Sequence, residues 1–301
     1  MTEMADRTAR QAVDDLVRVL DLEEVDEDLF RGAPAPNERG RAFGGQVASQ
    51  SLMAAIRTVG EGLTVHSMHS YFLLAGDPDK AIVYDVDRIR DGRSFATRRV
   101  AARQHGRPIY YMTVSFHRHE DGYDHQDLMP EVPPPAAGLD MLEMMAKGGF
   151  AEGEALAKEW AAVDVRTLGN SQRGLVPSKE RPSQQRVWLR IAERLPDDPN
   201  LHLAVFTWAS DISLLGAALA AHTVRSAHVQ MASLDHTIWF HRPFRADEWW
   251  LYDQESPSAQ GGRGLSIGRV FTEDGVLVAT TAQEGIIRPP RTSSAEVGTL
   301  A

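Results

Sequence analysis

The spacing of apolar residues predicts which stretches of the first part of the chain form helices and strands. Apolar residues at helical intervals predict an amphipathic helix from Thr8 to Leu20, and an Ala-, Leu- and Met-rich pattern predicts a second from Gln46 to Val59. Segments rich in β-branched and aromatic residues follow, separated by turn sequences such as AGDPDK and RDGR. They predict four strands, over Val65–Leu74, Ala81–Arg90, Ser94–Gln104 and Pro108–Arg118.

The same order of elements returns after a middle segment of different character. Residues 119–183 contain the PEVPPPAAG sequence, a helical stretch and few strand signals, which predicts a connector on the surface. Beyond it, the strand RVWLRIA precedes a long helical region from Leu201 to His222. Further strands are predicted near Val229–His241, Glu248–Ser256, Leu265–Thr272 and Val276–Ile287.

Superposing one half of the sequence on the other indicates an internal duplication. Thr58-Val59 matches Thr223-Val224, His69-Ser70 matches His236-Thr237, and Tyr84-Asp85 matches Tyr252-Asp253, all in the same order and in equivalent predicted elements. A helix followed by an antiparallel meander, present twice, predicts an α+β fold in which each helix packs on one face of a curved sheet. We expect a first repeat over residues 1–118, a connector over 119–183 and a second repeat over 184–301.

Composition excludes several classes of protein. The net charge of −10 argues against sequence-independent nucleic-acid binding, which requires a basic surface. The absence of cysteine removes disulfides, thiolate zinc sites and a cysteine nucleophile. The apolar run around Leu214 to Ala221 is too short to span a bilayer, and the N-terminal MTEMADRTAR lacks a signal-peptide core. We therefore expect a cytoplasmic protein without membrane association.

The two halves differ at three positions where the second half has a polar residue able to take part in catalysis. By the local shifts, Asp211 corresponds to Gln46, Ser233 to His66, and Gln283 to Val114, so the carboxylate, hydroxyl and amide occur together only in the second half.

Two of these polar residues lie in apolar surroundings. Gln283 continues a strand face that is apolar in the first half, and a buried amide without partners costs about 1 to 3 kcal/mol. The alternative is a strand end that reaches solvent. Asp211 interrupts a helical pattern, so either Ser210 or Asp211 is the N-cap of a following helix, or the carboxylate is a general base kept ionised by that helix N-terminus.

Long strings in both halves resemble acyl-CoA thioesterase II over nearly the whole chain. They are LFRG, FGGQV, VHSMHSYFLLAGDPDK, IVYDVDRIRDGRSFATRRV and IYYMTVSF in the first half, and ASLDHTIWFHRPF and DGVLVATTAQEGIIR in the second. The resemblance implies a double hotdog fold and hydrolysis of fatty acyl-CoA to free acid and CoA. It also implies a catalytic trio of Asp211, Gln283 and, in place of the family's threonine, Ser233.

These three groups suggest a mechanism without cofactor or metal. They would bind one water, Asp211 would accept its proton, and backbone N–H groups would hold the oxyanion. A covalent role for Ser233 is the alternative, but no GxSxG elbow surrounds it. His236 would lie on the opposite face of a regular strand. His117 and His119 share a strand face, yet no third metal ligand has a recognisable spacing.

Further residues are candidates for substrate contact. Gly45 and Gln46 begin the second predicted helix, where exposed N–H groups bind anions, although the glycines are also explained by close packing. His66 is either a substrate contact or a core histidine. The arginine-rich strands suggest a site for the CoA phosphates, or else solvated strand faces. Its candidates are Arg88, Arg93, Arg98 and Arg99.

Two other functions stay open on the sequence alone. One is a non-catalytic acyl-CoA binding protein, and the other is a hotdog enoyl-CoA hydratase, whose D-x-N-x-x-H string is absent here. Exposed sheet edges and aromatic-rich strands favour a homo-oligomer.

Overall fold

The first half folds as an N-terminal helix and a second, central helix packed against an antiparallel sheet. In the computed structural model, which describes residues 8–148, 153–172, 181–222 and 229–288, the predicted helices and strands of this half are present within a few residues. Thr8 caps the first helix through a capping box with Gln11. The elements are α1 (Ala9–Leu20), β1 (Glu23–Asp26), β2 (Leu29–Gly32), α2 (Gly44–Ile56), β3 (Leu63–Phe72), β4 (Ile82–Asp91), β5 (Phe95–Gln104) and β6 (Arg107–Arg118).

The middle segment contributes more structure than the sequence suggested. It contains a 3-10 turn (Pro135–Ala137), β7 (Leu139–Asp140), α3 (Met141–Lys147), α4 (Gly153–Glu159) and β8 (Val163–Asn170). The interpretation of this segment as a surface connector is wrong for β8, which pairs with the next strand along its length. Val163 and Val165 are buried there, so the apolar residues of β8 belong to the core of the second half.

The second half repeats the strand order of the first. Its elements are β9 (Gln184–Ile191), α5 (Pro199–Ser210), a 3-10 helix (Leu214–Leu219), β10 (Gln230–Ser233), β11 (Asp235–Phe240), β12 (Trp250–Gln260), β13 (Arg263–Thr272) and β14 (Leu277–Arg288). The predicted helix from Leu201 to His222 is thus broken into two. Thr223 and Val224, used in the sequence superposition, lie outside the described residues.

One continuous antiparallel sheet joins the halves. Its order is β1-β2-β4-β5-β6-β3 in the first half and β11-β14-β13-β12-β9-β8-β7 in the second, with β3 paired to β11 at the centre. In that pair His69 lies opposite Thr237. This symmetric order, with equivalent strands in mirrored places, agrees with the predicted duplication.

Each half-sheet is packed against helical residues. α2 is buried along most of its length between the first half-sheet and α5, and its small residues allow both close contacts. In the second half the 3-10 helix takes the equivalent place against β12, β13 and β14. The stretch Pro199–Leu219 is long and apolar enough to cross a membrane and is longer than the run noted in the sequence, but 83% of its most apolar 18-residue window is buried inside the fold. It has the burial of a core helix.

Candidate active site

Asp211 lies at the break between α5 and the 3-10 helix. Its backbone is in the right-handed helical region and its N–H donates to the carbonyl of Ala209, so Asp211 ends α5. Ser213 precedes the 3-10 helix. The predicted helix break is therefore present, but the expectation that Ser210 or Asp211 caps the start of the following helix is wrong.

Asp211, Ser233 and Gln283, which come from three separate elements, meet at this break. Gln283 Nε2 lies 2.7 Å from Asp211 Oδ1 and 2.7 Å from Ser233 Oγ, and Ser233 Oγ lies 3.5 Å from the same carboxylate oxygen. Both amide hydrogens of Gln283 are therefore used, one on the carboxylate and one on the hydroxyl. Gln283 is fully buried, which excludes the alternative of a strand end in solvent.

A β-bulge turns Ser233 toward the other two residues. Leu234 and Asp235 both oppose Glu284: the Leu234 N–H donates to the Glu284 carbonyl, and the Glu284 N–H donates to the Asp235 carboxylate. The bulge inserts one residue and so resets the alternation of side chains. His236 consequently lies on the same buried face as Ser233, and the expectation that it lies on the opposite face is wrong.

The strand pairing also corrects one correspondence between the halves. Ser233 lies opposite Gly285 in β14, and Val65 lies opposite Phe116 at the equivalent place in β6. Val65, not His66, is therefore the counterpart of Ser233. His66 is the bulged residue of β3, on the outer face, where Nε2 lies 2.8 Å from Ser115 Oγ. His66 is half-buried and so is not a fully buried core histidine, and substrate contact by His66 stays a prediction.

The first half completes the surroundings of Asp211 with the N-terminus of α2. The backbone N–H of Gly45 donates to the Asp211 carboxylate. A β-carbon added to Gly44 would lie 2.7 Å from Asp211 Oδ2 and 3.0 Å from the ring of Phe72, so the carboxylate reaches this helix end because residue 44 has no side chain. The helix N-terminus expected beside Asp211 is present, but it belongs to the other repeat.

Gln46 follows in the same helix turn. It is nearly buried, and its backbone N–H donates to the carbonyl of Phe43 at 3.1 Å. Substrate contact by Gly45 and Gln46 stays a prediction, with the Gly45 N–H already engaged by Asp211.

The electrostatic environment raises the pKa of Asp211 to about 6, because burial separates the carboxylate from bulk water. Hydrogen bonds from Gln283 and from the Gly45 N–H act in the opposite direction, as does the positive charge of Arg39. Arg39 is itself held 2.6 Å from Glu159 of α4. A carboxylate with this pKa is ionised at neutral pH and is still able to accept a proton.

The candidate arginines for the CoA phosphates have different positions. Arg98 is 1% exposed, and its guanidinium donates to Thr58 Oγ1 at 2.8 Å, to the Thr58 carbonyl at 3.0 Å and to Asp91. The prediction for Arg98 is wrong, because this side chain joins β5 to the end of α2 and cannot reach a phosphate.

The remaining arginines of that set lie on the surface. Arg88 pairs with Asp28 at 2.7 Å, Arg99 pairs with Asp87 at 2.7 Å, and Arg93 is exposed between β4 and β5. Phosphate binding by these three stays a prediction. In the part of the chain that the structure describes, no cluster of His, Asp or Glu is arranged to hold a metal ion.

Sequence reasoning missed three buried hydroxyls next to the trio, those of Ser210, Tyr252 and Thr281. Ser210 Oγ lies 2.9 Å from His236 Nε2, and Tyr252 OH donates to the Ser210 carbonyl at 3.3 Å while contacting Thr281 Oγ1 at 2.7 Å. Thr281 stands on the strand face that leads to Gln283, so its polar character was a signal in the sequence. The contact between Ser210 and His236 could not be predicted, because a regular strand without the bulge would place His236 on the opposite face.

Comparisons with known proteins agree with this architecture over both halves. A family model described as acyl-CoA thioesterase matches residues 157–286, and one described as acyl-CoA thioesterase N-terminal domain matches residues 33–117. Acyl-coenzyme A thioesterase 8 of Homo sapiens is 40% identical over 281 residues, which cover 90% of this chain and 88% of that protein. Acyl-CoA thioesterase 2 of Haemophilus influenzae is 38% identical, with coverage of 92% and 98%.

Solved structures confirm the fold. An acyl-CoA thioesterase II from Mycobacterium marinum superposes with a TM-score of 0.80 at 44% identity, covering 92% of this chain and 99% of that one. A hot dog fold protein from Alicyclobacillus acidocaldarius superposes with a TM-score of 0.74 at 19% identity, which supports the fold alone. The predicted double hotdog is therefore confirmed, and the chain belongs to the acyl-CoA thioesterase family and is a thioester hydrolase.

Proposed function

We propose that the protein hydrolyses fatty acyl-CoA thioesters to free acid and CoA by means of one water bound by Asp211, Ser233 and Gln283. The observation that carries this proposal is the placement of Gln283 Nε2 2.7 Å from both Asp211 Oδ1 and Ser233 Oγ. A single amide thereby fixes the base and the hydroxyl in one arrangement, and positioning of this kind lowers the barrier to a reaction with water.

Asp211 is the general base in this proposal. Its pKa of about 6 keeps most of the carboxylate ionised at pH 7, and that value is close enough to neutrality for efficient proton transfer. Oδ1 is occupied by Gln283 and Ser233, while Oδ2 faces the start of α2. We assign proton acceptance to Oδ2.

Gln283 and Ser233 orient the water. Gln283 Oε1 is buried and has no hydrogen-bond partner among the described residues, so it is an acceptor available to a bound water. Ser233 Oγ accepts a hydrogen bond from Gln283 Nε2, which leaves the serine's own proton to be directed toward Asp211 or the water. Serine supplies the same donor and acceptor as threonine does.

The reaction is then a direct hydrolysis. Water attacks the thioester carbonyl carbon as Asp211 takes its proton, and a C–O bond forms while the carbonyl oxygen becomes negative. The positive end of α2 next to Asp211 favours that negative charge. The C–S bond then breaks, the thiolate of CoA leaves, and Asp211 returns the proton to the sulfur. No covalent acyl-enzyme forms.

The proposal is tested by free-thiol release from a fatty acyl-CoA. Asp211→Asn should lower kcat by about 100-fold or more, because the base is lost while the shape is kept. Asp247→Asn is the matched control. The Asp247 side chain is also shielded from solvent, accepts from the Leu195 N–H at 2.7 Å and lies 2.8 Å from Arg245, so none of its partners belongs to the trio. This variant should keep the wild-type rate.

The outcomes separate the candidate functions. Equal loss in both variants, or full activity in Asp211→Asn, would overturn the assignment of Asp211. Tight binding of acyl-CoA by the wild-type protein without thiol release would indicate the binding protein. Consumption of an enoyl-CoA without thiol release would indicate the hydratase.

A further inference from the structure

A buried histidine lies next to the catalytic trio and has no role in the mechanism above. His236 is completely shielded from solvent, and its Nε2 lies 2.9 Å from Ser210 Oγ. Ser210 is the last residue of α5 and directly precedes Asp211. The ring therefore contacts the residue that ends the helix on which the proposed base is mounted.

The hydrogen bonds assign the proton on the ring. Ser210 Oγ has a second contact, the carbonyl of Thr207 at 2.9 Å, and a carbonyl oxygen is only an acceptor. The single hydroxyl proton of Ser210 therefore goes to Thr207, and His236 Nε2 must donate to Ser210 Oγ. Nδ1 then carries the lone pair, and it has no hydrogen-bond partner among the described residues. Burial lowers the pKa of His236 to about 4, so this neutral form persists at physiological pH.

The same network reaches the other two members of the trio. Tyr252 OH donates to the Ser210 carbonyl at 3.3 Å and lies 2.7 Å from the hydroxyl of Thr281, two residues before Gln283. His236 itself lies on the strand that continues from Ser233 past the bulge.

The network is also anchored to the first half. Ser70 of β3 donates its hydroxyl proton to the carbonyl of His236 at 2.6 Å. His236 therefore contacts the end of α5 through its ring and β3 through its backbone carbonyl, beside the chain segments that carry the trio.

We propose that His236 is a positioning residue that, through its hydrogen bond to Ser210, holds the Asp211 carboxylate in register with Gln283 and Ser233. This inference rests on the proposed function of the trio. Loss of the hydrogen bond would let the end of α5 move relative to β11, and misplacement of a base by a fraction of an ångström slows proton transfer without weakening substrate binding.

The main test separates kcat from KM for hydrolysis of a fatty acyl-CoA. His236→Ala should lower kcat by about 10-fold or more while KM stays within about twofold, as expected for an interaction that acts on the transition state. His236→Gln should recover most of the lost kcat, because the Gln Nε2–H can donate to Ser210 Oγ.

A double-mutant cycle tests the route through Ser210. Ser210→Ala should reproduce the loss of kcat, and the variant with both substitutions should lose no more than either alone, because a single hydrogen bond is removed in all three. If His236→Ala does not fold, His236→Leu, which fills more of the space without a donor, takes its place in the cycle, and Ser210→Ala tests the same hydrogen bond from the other side.

His202 provides the matched control. It is a second buried histidine, on the same helix α5, and its Nδ1 accepts from the Ala246 N–H at 3.1 Å. His202→Ala should lower the melting temperature to a similar extent and leave kcat unchanged, since His202 lies far along the helix from Asp211.

Wild-type kcat in folded His236→Ala or in Ser210→Ala would overturn the proposal, as would independent, multiplying effects of the two substitutions. A failure of the trio itself looks different. In that case Asp211→Asn keeps its activity, whereas failure of the His236 proposal alone leaves Asp211→Asn inactive and His236→Ala fully active.

Discussion

Asp211 occupies a position where its charge is unfavourable and is nevertheless supported by donors from both halves of the chain. Burial raises its pKa, and hydrogen bonds from Gln283, the Gly45 N–H and Ser233 oppose that rise. The balance places the pKa near 6, which is where a general base at neutral pH is most effective.

The pKa of Asp211 predicts the pH dependence of hydrolysis. We expect kcat to be half-maximal near pH 6 and to fall about tenfold per pH unit below it, because only the ionised carboxylate accepts the proton. Initial rates of thiol release between pH 4.5 and 8, with circular dichroism to verify folding, measure this. A flat profile down to pH 4.5 would rule out Asp211 as the base.

The same pKa predicts a stability effect. The pKa of Asp211 is 3.8 ordinarily and about 6 in the folded protein, so the folded state binds the proton more tightly than the unfolded state does. Protonated Asp211 therefore contributes stability that is fully present below pH 3.8 and is lost as the pH rises through about 6. At pH 7, Asp211→Asn should therefore increase the free energy of unfolding, by up to about 3 kcal/mol. Denaturant titration measures it, and a clearly less stable variant would contradict the account.

Single-residue properties were only partly predictable from the sequence. Asp211 and Gln283 stood out because a polar group interrupts an apolar pattern. Arg98 was misassigned because a cluster of arginines does not reveal which of them points inward to Thr58 and Asp91. The face of the sheet on which a side chain lies depends on strand pairing, which residues distant in the sequence determine.

At the level of elements, two local irregularities build the site. A helix that ends at Ser210 brings Asp211 to the start of α2, and a bulge at Leu234 turns Ser233 and His236 to the same face. The sequence predicted the helices and strands because their periodicity is local. It did not predict the bulge, since one inserted residue leaves the alternation on each side unchanged. The correspondence of Ser233 was off by one for a different reason: the match of His69 to His236 is one residue out of register, and the strand pairing aligns His69 with Thr237 and Val65 with Ser233.

Gly44, at the start of α2, should be sensitive to substitution. In Gly44→Ala the new methyl group would lie 2.7 Å from Asp211 Oδ2, so the helix end or the carboxylate has to move. We expect kcat to fall by about 10- to 100-fold, as misplacement of a catalytic group does. Gly60→Ala is the control, because its methyl group meets nothing within 4 Å. Equal rates for both variants and the wild type would show that the α2 end has no part in catalysis.

At the level of the whole molecule, the two repeats form one unit. The first repeat supplies the helix N-terminus and the second supplies the trio, and the central β3–β11 pair and the α2–α5 contact hold them together. Only the second repeat has the polar residues, since Val65 and Val114 fill the equivalent places in the first. The homo-oligomer and the cytoplasmic location stay predictions.

This continuity predicts cooperative unfolding. All six tryptophans lie at or after Trp160, so tryptophan fluorescence reports the second half and its contacts with the first, such as Trp160 and Trp208 against Phe43. Far-ultraviolet circular dichroism reports the helices and strands of both halves. Because the sheet runs through both, the two signals should change together in denaturant, with one midpoint. Two separated midpoints would mean that the halves unfold independently.

The proposed hydrolysis depends most on the joint action of the trio on one water. The direct measurement is kcat for Asp211→Asn, for Gln283→Leu and for the variant with both substitutions, each with the same fatty acyl-CoA. Residues that act as a unit have non-additive effects. We expect the double variant to be no slower than Asp211→Asn alone. A double variant whose loss equals the product of the two single losses would contradict the shared water.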